Sequence, residues 1–78
     1  MLPAKMAFPD AVKDKSKSSV KGGGLRKRWK DRKGRIYEWD SENGRVELYD
    51  KQGKHLGEFN PDTGERTKDA ERGRTTPK

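Results

Sequence analysis

Residues 38–49, EWDSENGRVELY, carry the signal that decides the fold. Asn43-Gly44 is the pair most typical of a two-residue type I′ hairpin turn, because both central residues of that turn need a positive φ. Counting outward from this turn places Asp40 directly opposite Glu47 on one face of an antiparallel hairpin. Like charges in that position destabilise a sheet, so the pair needs a functional explanation.

Length and composition allow one small domain. The four residue types Leu, Ile, Val and Phe contribute ten of the 78 residues, and most of them fall between Leu25 and Phe59. We therefore predict a mainly β core at residues 25–68, after a linker at 1–24 that has room for a short helical turn near Pro9-Asp10. In that turn Phe8 and Val12 would touch the core. Residues 69–78 are expected to form a basic C-terminal tail.

The charge balance limits the function classes. The net charge of +7 and the isoelectric point near 9.9 favour a polyanionic partner, of which nucleic acid is the usual one. An acidic protein or an anionic membrane surface are the alternatives. The chain has no cysteine, so neither a disulfide framework nor a thiolate metal site is available. It also has no apolar run long enough for a membrane span or a signal peptide.

Glycine-containing turns recur every eight to ten residues after Leu25, a spacing typical of an antiparallel meander. The segments DRKG and DKQG suit three-residue loops with glycine in the left-handed position. The alternation of side chains then sorts the strands into two faces. The expected core face holds Trp29, Tyr37, Trp39, Val46, Leu48 and Leu56. The expected polar face holds Arg26, Arg28, Glu38, Asp40, Glu47, Tyr49, His55 and Phe59, with Gly57 leaving space beside Glu47.

The polar face contains the groups that cleave RNA without a metal. Such cleavage needs a base for the ribose 2′-hydroxyl, an acid for the leaving 5′-oxygen and cations for the phosphorane charge. A carboxylate beside another carboxylate has a raised pKa, so Glu47 is the candidate base and Asp40 its tuning neighbour. His55 is the candidate acid, since histidine titrates closest to neutral pH.

Cations and aromatic residues complete the candidate site. Arg26, Arg28, Arg72 and Arg74 are candidates to neutralise phosphate. The basic run RKRWKDRKGR indicates a polyanion and adds Lys27, Lys30, Arg32 and Lys33 as candidate RNA-binding residues. Tyr49 and Phe59 are candidates to stack on unpaired bases.

Simpler interpretations stand beside these. The acidic pair Asp40 and Glu47 also fits a solvated lattice of charges with neighbouring arginines, and a single histidine on a polar strand is more often a surface residue. Asp40, Glu47 and His55 do not have a recognised metal-ligand spacing, so we predict no metal and no cofactor.

The segment GGGLRKRWKDRKGRIYEWDSENGRVELYDKQGKHLGEFNPDTG resembles the C-terminal cytotoxic ribonuclease domain of the ribosome-inactivating colicins, which also occurs as a toxin tip in contact-dependent growth-inhibition proteins. Its most specific pieces are RKRW, IYEWDS and HLGEFNPDTG. The resemblance implies a small, highly twisted antiparallel sheet of four to five strands. It also implies an endoribonuclease that makes one cut in 16S ribosomal RNA at the decoding site and so blocks translation.

The resemblance also implies roles for single residues. The family's catalytic aspartate and glutamate fall on Asp40 and Glu47, and its tail arginine falls on Arg74, or on Arg72 if the tail shifts. The family's catalytic histidine is replaced by Asn43, which cannot act as an acid at neutral pH. Either His55 supplies the proton, or cations alone assist the leaving group, or this branch is weakly active or inactive. Glu38 is a further possible contributor.

The family further implies an acidic immunity protein as a tight partner, which suits a basic toxin through electrostatic steering. It implies a secreted or surface-delivered fragment that acts in the cytoplasm of a target bacterium. We expect a monomer outside the immunity complex and no membrane binding by this segment. The alternatives are a non-catalytic RNA- or ribosome-binding module on the same scaffold and a metal-dependent nuclease.

Overall fold

The computed structural model describes residues 8–17 and 25–78, and this part of the chain forms one open antiparallel sheet without a helix. Consecutive strands are always neighbours, which confirms the predicted meander and the mainly β fold class. Six strands are present in the described residues, against the four to five expected. They are β1 (Val12–Asp14), β2 (Arg28–Lys30), β3 (Ile36–Asp40), β4 (Arg45–Tyr49), β5 (His55–Phe59) and β6 (Arg66–Asp69).

The two predicted three-residue loops are confirmed. The amide of Gly34 donates to the carbonyl of Asp31 at 3.0 Å, and the amide of Gly53 donates to that of Asp50 at 2.9 Å. Both glycines have a positive φ, 82° and 86°, as the loop type requires. The carboxylate of the aspartate that opens each loop accepts amide hydrogen bonds from inside it, so the short polar side chain fixes the turn.

The predicted type I′ turn at Asn43-Gly44 is wrong. Asn43 does not have a positive φ, and a four-residue loop at 41–44 joins Asp40 to Arg45. Asp40 therefore pairs with Arg45, and Glu47 pairs with Glu38 instead of Asp40. The four-residue loop is favoured over the two-residue turn because the Asp40 carboxylate accepts hydrogen bonds from Glu42 and Asn43 within the loop. The register shift is two residues, so the side chains of β3 and β4 stay on their predicted faces.

The core face of the sheet agrees with the prediction for all six expected residues. Trp29, Tyr37, Val46 and Leu48 are buried, and Trp39 and Leu56 pack against them partly buried. The predicted place of Phe59 on the polar face is wrong, because Phe59 packs on the core face at 6.3 Å from the Phe8 ring.

Part of the expected linker contributes to the sheet. The predicted core contact of Phe8 is confirmed, since its ring lies 5.1 Å from that of Tyr37. Ala11 joins the core at 1% exposure, whereas the predicted contact of Val12 is wrong, because Val12 is 65% exposed. A single turn links Phe8 to Ala11, and β1 follows it along the edge of the sheet. The triglycine at 22–24 lies outside the described residues, and the division into linker, core and tail stays a prediction.

The C-terminal segment, residues 70–78 after β6, covers the polar face. The amide of Thr76 donates to the carbonyl of Gly53, and the His55 amide donates to the carbonyl of Arg74. A Cβ on Gly53 would lie 2.1 Å from the Thr76 carbonyl oxygen, so only glycine allows this approach. The segment buries a set of polar side chains on that face: Arg28, Glu38, Glu47, His55, Glu58 and Thr76. The described part of the chain holds no helix long and apolar enough to cross a membrane.

Candidate active site

A row of three glutamates crosses the centre of the polar face. Glu47 on β4 lies between Glu38 on β3 and Glu58 on β5, and each is directly opposite its neighbour. Glu47 is therefore opposed by carboxylates, as the sequence predicts, but they belong to Glu38 and Glu58 and not to Asp40. The sequence analysis missed Glu58 because an irregularity between Leu48 and Tyr49 moves the pairing, so that Gly57 lies opposite Leu48 rather than beside Glu47.

Each glutamate of the row has its own partners, which offset the repulsion. Glu38 accepts a hydrogen bond from the Thr76 hydroxyl at 2.6 Å and lies 3.9 Å from a guanidinium nitrogen of Arg28. Glu58 accepts a 2.6 Å hydrogen bond from the Thr67 hydroxyl. Glu47, in the middle, is paired with the imidazole of His55 and the guanidinium of Arg74. These separate partners make a row of like charges compatible with a folded sheet.

Glu47 is the best-connected group of the site. Its Oε1 lies 2.7 Å from Nε2 of His55 and 3.6 Å from Nη1 of Arg74. The side chains of Glu47 and His55 are 5% and 3% exposed. Within the described residues no hydrogen bond reaches Oε2 of Glu47. One oxygen is thus fixed by protein groups while the other is available.

Asp40 lies at the mouth of the site and caps its loop. Oδ1 accepts hydrogen bonds from the amides of Glu42 and Asn43 at 3.1 and 3.3 Å, and Oδ2 accepts one from Nδ2 of Asn43 at 2.8 Å. Burial acts to raise the pKa of Asp40, but these hydrogen bonds and the positive charge of Arg26 outweigh it and lower that pKa below its ordinary value. Asp40 is therefore ionised at neutral pH, and its carboxylate is a weaker base than an ordinary aspartate.

Arg74 is brought to Glu47 by a tight turn in the C-terminal segment. The amide of Arg74 donates to the carbonyl of Glu71 at 3.1 Å, and Gly73 has a φ of +81°, the conformation that a type II turn needs at its third residue. Nε of Arg74 donates to the Tyr49 hydroxyl at 3.2 Å. Burial acts to lower the pKa of Arg74, but Tyr49, Glu47 and Glu71 raise it above its ordinary value, so the guanidinium is always charged.

These groups line a cleft of about 260 Å³. Six predicted site residues line it: Arg26, Asp40, Asn43, Glu47, His55 and Arg74. Five further lining residues were missed: Glu42, Glu58, Lys68, Asp69 and Glu71. Most of the missed residues belong to β6 and the segment after it, whose return to the site is a long-range contact that local sequence pattern does not encode.

The structure separates the other predicted site residues from the cleft. Arg28 is fully buried, bound to Asp14 at 2.8 Å and to the carbonyl of Pro77, so it cannot meet a phosphate at the surface. Tyr49 is 2% exposed and stands behind Arg74, so its ring is not open to a base. The remaining candidates do not line the cleft: Glu38 is buried beside it, Phe59 is on the core face, Lys27, Lys33 and Arg72 are exposed elsewhere, and Lys30 and Arg32 line a second groove of about 450 Å³.

The carboxylates at the cleft have the chemistry of a divalent-cation site. Oxygen atoms of Asp40, Glu47 and Glu58 lie within 4.8 Å of one another, and hard cations prefer such ligands. Each carboxylate nevertheless has a protein partner: Asn43 for Asp40, Thr67 for Glu58, and both His55 and Arg74 for Glu47. The cluster is therefore explained by its own hydrogen bonds and ion pairs.

Comparison with known proteins gives one consistent result. The sequence model of the family described as Cytotoxic matches residues 3–77. Over 49 residues, 60% of this chain, the sequence is 57% identical to colicin E3, 55% to colicin-E6 and 53% to cloacin, all from Escherichia coli. The chain spans about 9% of the length of these curated relatives. With nearly its whole length matched by the family model, the chain belongs to the Cytotoxic family.

Proposed function

We propose that this chain is the catalytic toxin domain of a bacteriocin-like protein, a metal-independent endoribonuclease that acts on ribosomal RNA. One observation carries the proposal: Glu47 lines a cleft, and among the described residues His55 and Arg74 bind one of its carboxylate oxygens while no hydrogen bond reaches the other. Membership of the Cytotoxic family and the similarity to colicins support an endoribonuclease over a binding protein.

Glu47 is the base in this proposal. Its Oε2 accepts the proton of a ribose 2′-hydroxyl, and the 2′-oxygen then attacks the adjacent phosphorus. The P–O5′ bond breaks, which leaves a 2′,3′-cyclic phosphate on one fragment and a 5′-hydroxyl on the other. Glu47 returns its proton to solvent after the products leave, so the base is restored.

Cations lining the cleft stabilise the negative charge that develops on phosphorus. Arg74 is 29% exposed at its side chain and permanently charged, and it lies 3.6 Å from Glu47, within reach of a phosphate bound at that carboxylate. Arg26 and Lys68 line the same cleft. Asp40 holds Asn43 by its side-chain amide and keeps the loop at the mouth of the cleft in place. Asp40 is thus a positioning group in this mechanism.

The cleft itself does not attract RNA by charge. Of the described residues that line it, six are acidic and three are basic. Long-range attraction therefore comes from the cations outside it, which give the chain its net charge of +7. Exposed side chains such as Lys27 and Lys33 fit this role, since phosphate contacts at a distance from the cut position the substrate without reading its sequence.

The finer parts of the proposal follow the resemblance of the sequence to colicin ribonuclease domains. The substrate is 16S ribosomal RNA in the intact small subunit, cut once at the decoding site. The partner in the producing cell is an acidic immunity protein, and apart from that complex the domain is a monomer that does not bind membranes. The toxin is secreted or delivered at the cell surface and acts in the cytoplasm of the target bacterium.

The test is cleavage of intact ribosomes by the purified chain in the presence of a chelator, with the cut mapped by primer extension. We expect a single cut in the small-subunit RNA. Glu47→Gln should remove it while ribosome binding is retained, because the amide keeps the shape of the side chain but cannot accept the proton. Equal loss of cutting and binding in that variant would contradict a role as base, and cleavage that stops with chelator while the ribosomes stay intact would contradict a metal-free reaction.

A non-catalytic ribosome-binding module is the second candidate. The observation that favours it is Asn43, whose side-chain amide lies 2.8 Å from Asp40 at the mouth of the cleft, where an acid would be placed by the resemblance. Binding of ribosomes without any cut by the unmodified chain would support this candidate.

A further inference from the structure

We infer that His55 is a positioning residue that orients Glu47, and that it is not the proton donor to the leaving group. The inference rests on the proposed ribonuclease function and concerns the division of work inside its site. It reverses the role expected for His55 from the sequence alone, and it follows from the two hydrogen bonds of the imidazole ring.

The first hydrogen bond fixes the tautomer. The backbone amide of Glu71 lies 2.9 Å from Nδ1 of His55. A backbone N–H can only donate, so Nδ1 is the acceptor and carries no proton. The neutral ring therefore carries its single proton on Nε2. A main-chain donor cannot rotate away, so this assignment is held by the fold of the C-terminal segment.

The second hydrogen bond uses that single proton. Nε2 of His55 lies 2.7 Å from Oε1 of Glu47, so the ring donates to the carboxylate. With both nitrogens engaged and the ring 3% exposed, no proton of His55 points toward a substrate. A proton donor needs direct reach to the leaving oxygen, or reach through one water. The single proton of His55 is already donated to Glu47, so the ring meets the conditions for orienting a base instead.

Further groups pack around the imidazole ring and its partner Glu47. Tyr49 packs edge-on against it at 5.1 Å between ring centroids, and the Tyr49 hydroxyl accepts a hydrogen bond from Arg74. The Arg74 guanidinium lies at Oε1 of Glu47, and the carboxylate of Glu71 lies 3.9 Å from that guanidinium. The ring therefore contacts Glu47, Tyr49 and the Glu71 main chain, and Arg74 lies next to it at Glu47.

The consequence is that Oε1 of Glu47 is clamped and Oε2 is directed at the substrate. The proton for the leaving 5′-oxygen comes from water, while the cations at the cleft neutralise the oxygen as the P–O5′ bond breaks. His55 raises the rate by holding one productive orientation of the base, which is the contribution that fixed geometry makes to such a step.

Nitrogen NMR of the unmodified, isotope-labelled chain tests the tautomer directly. A long-range ¹H–¹⁵N spectrum separates a protonated Nε2 from an unprotonated Nδ1. We expect the Nε2-H form of His55 throughout the pH range in which the chain cuts ribosomes. A ring protonated on both nitrogens in that range would overturn the inference, because the amide of Glu71 could not then face Nδ1.

Kinetics of two variants supply the functional readout. His55→Gln keeps a donor for Glu47 and an acceptor for the Glu71 amide, so its cleavage rate should stay within about tenfold of the original, the equivalent of one hydrogen bond. His55→Ala removes both and should lose clearly more. If His55 donates the proton, neither variant can replace it, and both should lose about 10²–10⁴-fold.

The pH profile separates orientation from a general loss of structure. A proton donor gives a rate that falls at high pH as the donor loses its proton, and His55→Gln would abolish that fall. We expect the two profiles to have the same shape. Equal, large losses in both variants with a changed profile would overturn the inference and leave the ribonuclease function intact. Absence of any cut by the unmodified chain would overturn the function, and the inference with it.

Discussion

The hydroxyl of Thr76 is the most informative single atom to remove. Thr76 is 7% exposed and donates to Oε2 of Glu38, a carboxylate that is itself 2% exposed. Thr76→Val keeps the shape of the side chain and removes the donor. A buried carboxylate then loses a hydrogen bond of 2.6 Å.

The magnitude follows from the charge of the acceptor. A hydrogen bond to a charged group contributes about 1.5–3 kcal/mol. We expect the free energy of unfolding to fall by about 2 kcal/mol. For a domain of this size, that corresponds to a decrease in Tm of roughly 8–16 °C.

The adjacent Thr75 provides a matched control. It is exposed, and its main chain pairs with Lys54, so Thr75→Val makes the same chemical change without touching Glu38. Thermal unfolding of both variants, followed by far-UV circular dichroism, makes the comparison. Equal Tm values for the two variants would refute the claim that the C-terminal segment is held by its buried hydroxyl.

Four further outcomes are expected. Arg74→Lys should slow ribosome cleavage by about 10–100-fold, since an ammonium cannot bind Tyr49 and Glu47 as the guanidinium does, whereas Arg72→Lys should leave the rate unchanged in the same assay. Asp31→Asn should lower the free energy of unfolding in urea by about 2–3 kcal/mol, because this carboxylate accepts bonds from the Tyr37 hydroxyl and the Arg35 guanidinium, both at 2.7 Å. Burial acts to raise the pKa values of Asp31 and Asp40, but their hydrogen bonds lower both pKa values below the ordinary 3.8. The stability that these carboxylates contribute is therefore complete above pH 3.8 and is lost as the pH falls below it. The free energy of unfolding measured from about pH 5 to about pH 2 should show this loss, and the loss should be smaller in Asp31→Asn. Asn43→His should raise the cleavage rate, because an imidazole next to Asp40 can supply the proton that an amide cannot, and an unchanged rate would mean that protonation of the leaving group does not limit the reaction.

The fold class was predictable because each turn is determined by residues that are adjacent in the sequence. Asp31 and Asp50 open loops that end in glycine, and each fixes its loop through its own side chain. The register of the central hairpin was not predictable from Asn43-Gly44 alone, because the Asp40 carboxylate selects a longer loop. Asn60 fixes the loop at 61–64 in the same way, because its side-chain oxygen accepts hydrogen bonds from the amides of Asp62 and Thr63.

The members of the site were predictable only in part. Glu47 and His55 were placed on one face because an error of two residues preserves the alternation of side chains. Glu58 was missed because a local irregularity in the pairing of β4 with β5 has no marker in the sequence. The choice between Arg72 and Arg74, and the amide of Glu71 at His55, depend on how the C-terminal segment returns to the sheet, and that is decided by long-range packing.

The meander order of the strands has a consequence for how the chain folds. Each strand pairs only with its neighbours in sequence, so the sheet can grow by successive hairpins, each with a short loop closure. The site depends instead on the late return of the C-terminal segment, since Thr76 meets Glu38 across 38 residues of chain. A sheet with an ordered core but no Arg74 at Glu47 is therefore the expected intermediate. We expect the chain to gain the geometry of its site late in folding and to lose it early in unfolding.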